Sequence, residues 1–181
     1  MEKRELSQSE TDGGFRKRTL SVHSLLVGSS WFVRNLPRLV EATYANRVDD
    51  RLREKILLTV SAANECRYCA RVHGSVASVV GIDDETIDRI LDSNVEAAVS
   101  EAEQPALLFA LHYAETDGDP APNVREAMEA AYDPATAADI VAFTRAMHVA
   151  NLLGNTVDAG VSAVERRIDR ALRHARTRCP I

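Results

Sequence analysis

The sequence is poor in the features that mark membrane-spanning, secreted and nucleic-acid-binding proteins. Aromatic residues make up only 5% of its 181 residues, so we expect a core built from Leu, Val, Ile and Ala. No apolar run approaches the roughly 18 residues that a transmembrane helix requires. The start of the chain, MEKRELSQSETDGG, is charged and lacks the apolar segment of a secretory signal. The formal net charge of −5 leaves no basic surplus to neutralise phosphates. We therefore expect a protein of the cytoplasm that contacts neither membranes nor nucleic acid.

Cysteine is also scarce, with three residues in the chain, but two of them lie close together in the stretch NECRYCARVH. Cytoplasmic thiols stay reduced, so a Cys-x-x-Cys pair there is more typical of a catalytic or metal-binding site than of a structural disulfide. Cys66 and Cys69 form this pair. Cys179 stands alone near the end of the chain, where we expect a thiol without a role.

The remaining sequence predicts an all-α protein. Apolar residues recur at the helical period, alternating β-branched runs are scarce, and glycines and prolines separate the segments. No repeat or linker divides the chain, so we expect a polar tail over residues 1–18 and one helical domain over residues 19–181. Seven or eight helices can be placed, over about residues 20–32, 36–46, 50–63, 65–81, 84–91, 105–116, 134–153 and 161–176.

Helix-end signals support several of these placements. A carboxylate before a helix can accept hydrogen bonds from the free amides of the first turn. Such aspartates precede three of the helices: Asp49 or Asp50, Asp83, and Asp133. Asn64 is expected to cap the helix that carries the cysteines, and Gly81 suits a left-handed residue at its end.

The two helices around the cysteine motif are both expected to face the core. The first carries ILLTV, which is apolar nearly all round, so it should lie between other helices. On the second, Cys66, Cys69, Val72, His73 and Val76 share one face at the 3.6-residue period. That face should point inward, which places the cysteines at a helix–helix interface.

Two thiols and an imidazole converge on this stripe, because residues three and four apart are neighbours on a helix. Free amides and the positive end of the helix dipole favour a thiolate in the first turn. This argument favours Cys66 as the more acidic thiol, whereas proximity to His73 favours Cys69.

A lowered thiol pKa alone would not make an efficient catalyst. An unperturbed cysteine is about 3% ionised at pH 7, and lowering its pKa by roughly two units would raise the thiolate fraction about 25-fold. Intrinsic nucleophilicity would fall about 8-fold, so the net gain would be about threefold. The site also needs a proton donor for the leaving group, and His73 is the nearest candidate.

Glu54, followed by SAANECRYCARVH over residues 61–73, resembles the signature of the AhpD-like alkylhydroperoxidase and carboxymuconolactone decarboxylase family. In the redox branch of that family, a glutamate on one helix precedes Cys-x-x-Cys-x-x-x-His on the next. Asn64 and Tyr68 match residues often found there, although the pattern also allows histidine between the cysteines. The likeness is strong over about residues 48–82 and less diagnostic elsewhere, including in MHVANLLGN.

The resemblance implies a thiol-dependent peroxidase or disulfide oxidoreductase that reduces hydroperoxides. Cys69 would be the peroxidatic thiol, which is oxidised to a sulfenic acid. Cys66 would be the resolving thiol, which closes a Cys66–Cys69 disulfide. His73 and Glu54 would form a proton relay that activates the thiol and protonates the leaving group.

The same resemblance implies an AhpD-like all-α fold and a homo-oligomer such as a trimer or hexamer. It implies no bound cofactor or metal, because the redox-active disulfide is re-reduced by an external dithiol donor such as a lipoyl-bearing or thioredoxin-like protein. The decarboxylase branch generally lacks the cysteine pair, so its presence here favours redox chemistry.

Other interpretations of these residues stay open. With His73 the cysteines offer three zinc ligands, but tetrahedral zinc needs a fourth ligand or a water. A zinc-binding or redox-sensing module without catalysis is one alternative, and a carboxymuconolactone-decarboxylase-like enzyme is another. Glu54 could simply favour the helix dipole. We expect His112 and His148 to be core or interface histidines, and Tyr68 to serve in packing or oligomer contacts.

Overall fold

The computed structural model describes Thr19 and residues 22–178, which form eight α-helices and no strand. The all-α prediction is confirmed. The predicted tail over residues 1–18 and Cys179 lie outside the described residues. The helices are α1 Val22–Ala45, α2 Asp50–Ala63, α3 Arg67–Val79, α4 Asp84–Leu91, α5 Val95–Ala98, α6 Gln104–Glu115, α7 Pro122–Ala131 and α8 Pro134–Arg178.

Helix α2 lies at the centre of the fold, in contact with α3, α4, α6 and α8. Its side chains Ile56, Leu58 and Val60 have no exposed surface, which confirms that the ILLTV segment lies between other helices. Phe109 of α6 and Met128 of α7 complete the same core and are equally buried. Among the described residues, no helix combines the length and apolar character needed to cross a membrane.

Two pairs of predicted helices turn out to be single helices. Helix α1 continues through Pro37, although proline removes an intrahelical hydrogen bond. Helix α8 continues through Gly154 and Gly160 for 45 residues. The two long helices pack against each other, and this packing outweighs the weak helix propensity of single residues. The short helices α5 and α7 were not predicted.

The predicted aspartate caps are confirmed by hydrogen bonds. The Asp49 carboxylate accepts from two first-turn amides of α2. At α4, the backbone N–H of Thr86 donates to Asp83, and this bond lowers the pKa of Asp83. At α8, the hydroxyl and the amide of Thr136 donate to Asp133 and lower its pKa.

The turn between α2 and α3 fixes the position of the first cysteine. Glu65 follows the end of α2 with a left-handed φ of 52°. The Cys66 N–H then donates to the Ser61 carbonyl at 3.0 Å, and the Glu65 N–H donates to the Ala62 carbonyl at 2.9 Å. These two hydrogen bonds are those of a Schellman motif, which usually has glycine at the left-handed position.

Cys66 takes the capping position that was predicted for Asn64. Its sulfur accepts from the Cys69 N–H at 3.4 Å, whereas Asn64 is the residue at which α2 ends. The predicted role of Asn64 as a cap of α3 is therefore wrong. The α2 termination turns the Asn64 side chain into the interior, where it is 1% exposed.

The predicted inward face of α3 is only partly correct. Cys66 and Cys69 are buried, but Val72 and Val76 are 40% and 38% exposed. Helix α3 contacts α2, α4 and α8 along a narrow stripe that contains Cys69, the half-buried His73 and the buried Ala77. These residues are spaced four apart, and the valines fall on the open side of that stripe.

Candidate redox site

Cys66 and Cys69 form a disulfide at the start of α3, with their Cα atoms 5.3 Å apart. Both cysteines are buried, with 2% and 7% of their surface exposed. Helix α8 covers the sulfurs at Gly154, where an ideal Cβ would lie 3.3 Å from Cys66 Sγ and 3.7 Å from Cys69 Sγ. The pair therefore lies where α2, α3 and α8 meet.

The predicted acid–base residues lie together beside this pair. His73 Nδ1 is 2.8 Å from Glu54 Oε2, and the two side chains are 21% and 6% exposed. A carboxylate only accepts hydrogen bonds, so His73 Nδ1 carries a hydrogen and its N–H donates a hydrogen bond to Glu54. Nε2 is then the ring nitrogen that can accept or release a proton. The packing of α3 on α2 thus pairs Glu54 with His73, which lies one helical turn after Cys69.

A second polar group near the cysteines was not predicted as part of the site. Asn64 Nδ2 lies 3.1 Å from His148 Nδ1, and His148 Nε2 lies 3.1 Å from Asp117 Oδ1. Asn155 Nδ2 donates to the Asn64 backbone carbonyl at 2.8 Å. The signal lay in MHVANLLGN, where polar residues 148, 151 and 155 recur at helical spacing.

His148 is a buried residue with hydrogen-bond contacts at both ring nitrogens, and it is 5% exposed. The Tyr113 ring meets it edge-on, with ring centroids 5.5 Å apart. Burial raises the pKa of Tyr113, so this neighbour stays neutral. Asp117 is the exposed end of this series of hydrogen bonds, with 71% of its side chain in solvent.

Two other residues singled out in the sequence do not join the site. Tyr68 lies between the cysteines in sequence but is 76% exposed on the outer side of α3. His112 is half-buried on α6, and its backbone carbonyl accepts a hydrogen bond from the Thr116 hydroxyl. Across the described part of the chain, no group of three or more His, Cys, Asp and Glu residues is arranged to hold a metal ion.

The model of the carboxymuconolactone decarboxylase family matches residues 32–113. This segment contains α2 and α3, and with them Glu54, Cys66, Cys69 and His73. Over these residues the chain is similar to the carboxymuconolactone decarboxylase family. This family is associated with enzymes. The Cys66–Cys69 disulfide is compatible with an AhpD-like function. The polar residues Asp117, His148 and Asn155 lie beyond the matched segment. No curated protein and no solved structure gives a significant match to the chain.

Proposed function

We propose that this protein is a thiol-dependent peroxidase and disulfide oxidoreductase of the cytoplasm that reduces hydroperoxides. The observation that carries the proposal is the 2.8 Å hydrogen bond between Glu54 and His73 beside a closed Cys66–Cys69 disulfide. A disulfide that only stabilised the fold would not need an imidazole oriented by a buried carboxylate one helical turn away. Such an oriented imidazole is the usual partner of an activated nucleophile.

The first step oxidises Cys69. His73 accepts the Cys69 thiol proton at Nε2, and Glu54 stabilises the resulting imidazolium. The thiolate attacks the terminal oxygen of the hydroperoxide, so an S–O bond forms while the O–O bond breaks. His73 then returns the proton to the leaving alkoxide, which departs as an alcohol. The product at Cys69 is a sulfenic acid.

The second step closes the disulfide. The Cys66 sulfur attacks Cys69 Sγ, the S–S bond forms, and the S–O bond of the sulfenic acid breaks. The hydroxide leaves as water with the proton of Cys66. The disulfide of the structure corresponds to the product of this step. An external dithiol returns two electrons and two protons through a mixed disulfide and leaves as a disulfide itself.

The burial of the sulfurs bears on the identity of that dithiol. Cys66 and Cys69 are almost inaccessible, and α8 covers them at Gly154, which has no side chain. Exposed apolar residues adjoin it, namely Leu153 and Val157 on α8. These features favour a slender, largely apolar dithiol such as a lipoyl arm. A thioredoxin-like donor would need the disulfide to become more exposed.

We also propose that the protein is a homo-oligomer, such as a trimer or hexamer. Helix α8 carries a row of apolar side chains that are 47–60% exposed, and we call this row the α8 stripe. Its spacing of 4, 4, 3 and 4 residues keeps the row on one side of the helix. The α8 stripe consists of Leu153, Val157, Val161, Val164 and Ile168. An exposed apolar row of this kind is typical of a surface that packs against another chain.

The proposed activity predicts distinct outcomes for the two cysteine variants. Cys69→Ser should abolish peroxide consumption, whereas Cys66→Ser should leave a Cys69 sulfenic acid that dimedone traps. His73→Gln should slow sulfenic acid formation by about 100-fold, because the proton donor is lost. The measurements are peroxide consumption and thiol counts before and after a peroxide pulse.

Tyr68→Phe is the matched control, since it changes an exposed residue between the cysteines and should react like the wild type. If the wild-type protein keeps both thiols after the pulse, the peroxidase proposal fails. The family also admits a decarboxylase-type reaction. Turnover of a lactone substrate that is unchanged in Cys69→Ser would favour that alternative.

A further inference from the structure

Two buried asparagines beside the cysteine pair contain polar atoms without a hydrogen-bond partner. Asn64 and Asn151 are 1% and 0% exposed. Among the described residues, Asn64 Oδ1 and both polar side-chain atoms of Asn151 have no hydrogen-bond partner. Buried amide groups are nearly always hydrogen-bonded in folded proteins, and an unpaired one is destabilising. Three unpaired atoms on two buried side chains therefore indicate a polar occupant.

Both asparagines are buried where α8 packs against the end of α2. His148 contacts the Asn64 side chain, and Asn155 donates to the Asn64 backbone carbonyl. Asn151 lies three residues after His148 and four before Asn155, so all three share one face of α8. Asn151 thus lies along α8 between the two residues that contact Asn64, on the helix face that they share.

His148 and Asp117 fix the orientation of the Asn64 amide. The amide nitrogen of Asn64 can only donate, so Nδ1 of His148 accepts and Nε2 carries the proton that is donated to Asp117. The Asn64 amide nitrogen is therefore held by His148. Its carbonyl oxygen is left as an oriented, unpaired acceptor in the interior.

This pair of asparagines lies on the Cys66 side of the disulfide. Asn64 precedes Cys66 by two residues, and Gly154, one turn after Asn151, faces both sulfurs at 3.3 and 3.7 Å. The Glu54–His73 pair lies on the other side, because His73 follows Cys69 by one helical turn. The dithiol therefore lies between two polar groups, of which one adjoins each cysteine.

We propose that Asn64 and Asn151 bind a water molecule beside Cys66 and that this water transfers the proton in the disulfide-closing step. The inference rests on the proposed peroxidase function. In this step the S–S bond forms, the S–O bond of the Cys69 sulfenic acid breaks, and Cys66 loses its thiol proton. The bound water accepts that proton and gives one of its own to the leaving hydroxide, so it is regenerated.

Asn64 Oδ1 accepts a hydrogen bond from the water, and Asn151 Nδ2 donates one to it. Asn64 and Asn151 are thus positioning residues for the second half-reaction.

The test separates the two half-reactions in Asn151→Leu. This change removes the amide and keeps a similar side-chain volume. It breaks no side-chain hydrogen bond, because the amide of Asn151 makes none with the described residues. After one equivalent of hydrogen peroxide, dimedone trapping and mass spectrometry follow the sulfenic acid, and thiol counts follow closure. We expect sulfenic acid to form at the wild-type rate and to persist at least about tenfold longer.

Thr144→Val is the matched control. Thr144 is fully buried on α8, and its Oγ1 also lacks a partner, but it lies two turns farther from the cysteines than Asn151 does. It should close the disulfide at the wild-type rate. Asn151→Ala serves if Asn151→Leu does not fold, and the same delay is expected because it also lacks the amide.

Disulfide closure at the wild-type rate in the Asn151 variant would overturn the inference. So would an equal slowing of both steps, because that result indicates general damage. A wild-type protein that forms no sulfenic acid would defeat the peroxidase function instead. A crystal structure then tests the water site independently of the activity. Electron density for a water within hydrogen-bond distance of Asn64 Oδ1 and Asn151 Nδ2 supports the site, and its absence rejects the site.

Discussion

Gly154 determines how closely α8 approaches the cysteine pair. A Cβ at this position would lie 3.3 Å from Cys66 Sγ, closer than the about 3.5–4.0 Å of an ordinary contact between carbon atoms. Glycine within a helix is less favourable than alanine by about 1 kcal/mol. The close approach of the helix backbone to the sulfurs accounts for a glycine here in spite of that cost.

The two glycines of α8 allow a direct comparison. Gly154→Ala should destabilise the disulfide form by about 1–3 kcal/mol through overpacking, partly offset by the better helix propensity of alanine. Gly160→Ala is the control, because its ideal Cβ has no atom of the described residues within 4 Å apart from its chain neighbours and the adjoining helix backbone. It should stabilise the protein by about 0.5–1 kcal/mol. Urea unfolding of both variants measures the difference, and equal free energies of unfolding would contradict the crowding argument.

At the scale of elements, the turn between α2 and α3 places the cysteines. The Schellman hydrogen bonds at the end of α2 hold the Cys66 backbone, and Cys66 in turn caps α3. Cys69, the proposed peroxidatic cysteine, then falls one turn later, and His73 one turn after that. The geometry of the dithiol therefore depends on Glu65, the exposed residue that takes the left-handed conformation.

Glu65→Gly should stabilise the protein by about 1 kcal/mol, because glycine adopts a left-handed φ without the steric penalty of a Cβ. The gain should be smaller if the added freedom of the unfolded chain offsets it. The measurement is the free energy of unfolding. Glu65→Ala is the control, since alanine keeps the Cβ and should leave stability nearly unchanged. A less stable glycine variant would show that the Glu65 side chain itself stabilises the turn.

At the scale of the whole molecule, the exposed apolar rows and the length of α8 suggest a surface for assembly. A 45-residue helix is about 68 Å long, whereas the 24 residues of α1 span about 36 Å. Helix α3 also has an exposed apolar row, formed by Tyr68, Val72, Val76 and Val79. Tyr68 and Val72 of this row flank Cys69 in sequence, so association through it would also cover the redox site.

Val161→Glu tests the contribution of the α8 stripe to assembly. A charge at this 53% exposed position should lower the assembly state, because an unpaired carboxylate would be buried between the chains. Size-exclusion chromatography with light scattering measures the mass over a range of concentrations. Arg167→Glu, an exposed change beside the stripe, is the control and should assemble like the wild type. A wild-type protein that is monomeric at every concentration would contradict the proposed oligomer.

Local sequence signals predicted local features well. Aspartate caps and the left-handed Gly81 depend on neighbouring residues only, so Asp49, Asp83 and Asp133 could be identified before the fold was known. The continuity of α1 through Pro37 could not, because it depends on packing against α8. The role of Asn64 could not be predicted either. The sequence predicted that it caps α3, but the Schellman turn makes it the C-cap of α2 and leaves Cys66 to cap α3.

The sequence by itself determined the helical class of the described chain and drew attention to Glu54, Cys66, Cys69 and His73, because helix periodicity and a short motif are local properties. Only the tertiary structure decided that Glu54 meets His73, since that contact joins residues on two packed helices. It also decided that α8 brings Gly154 onto the sulfurs and His148 and Asn155 onto Asn64. Contacts between residues nearly 90 positions apart arise from the burial of whole helix faces, which no short stretch of sequence specifies.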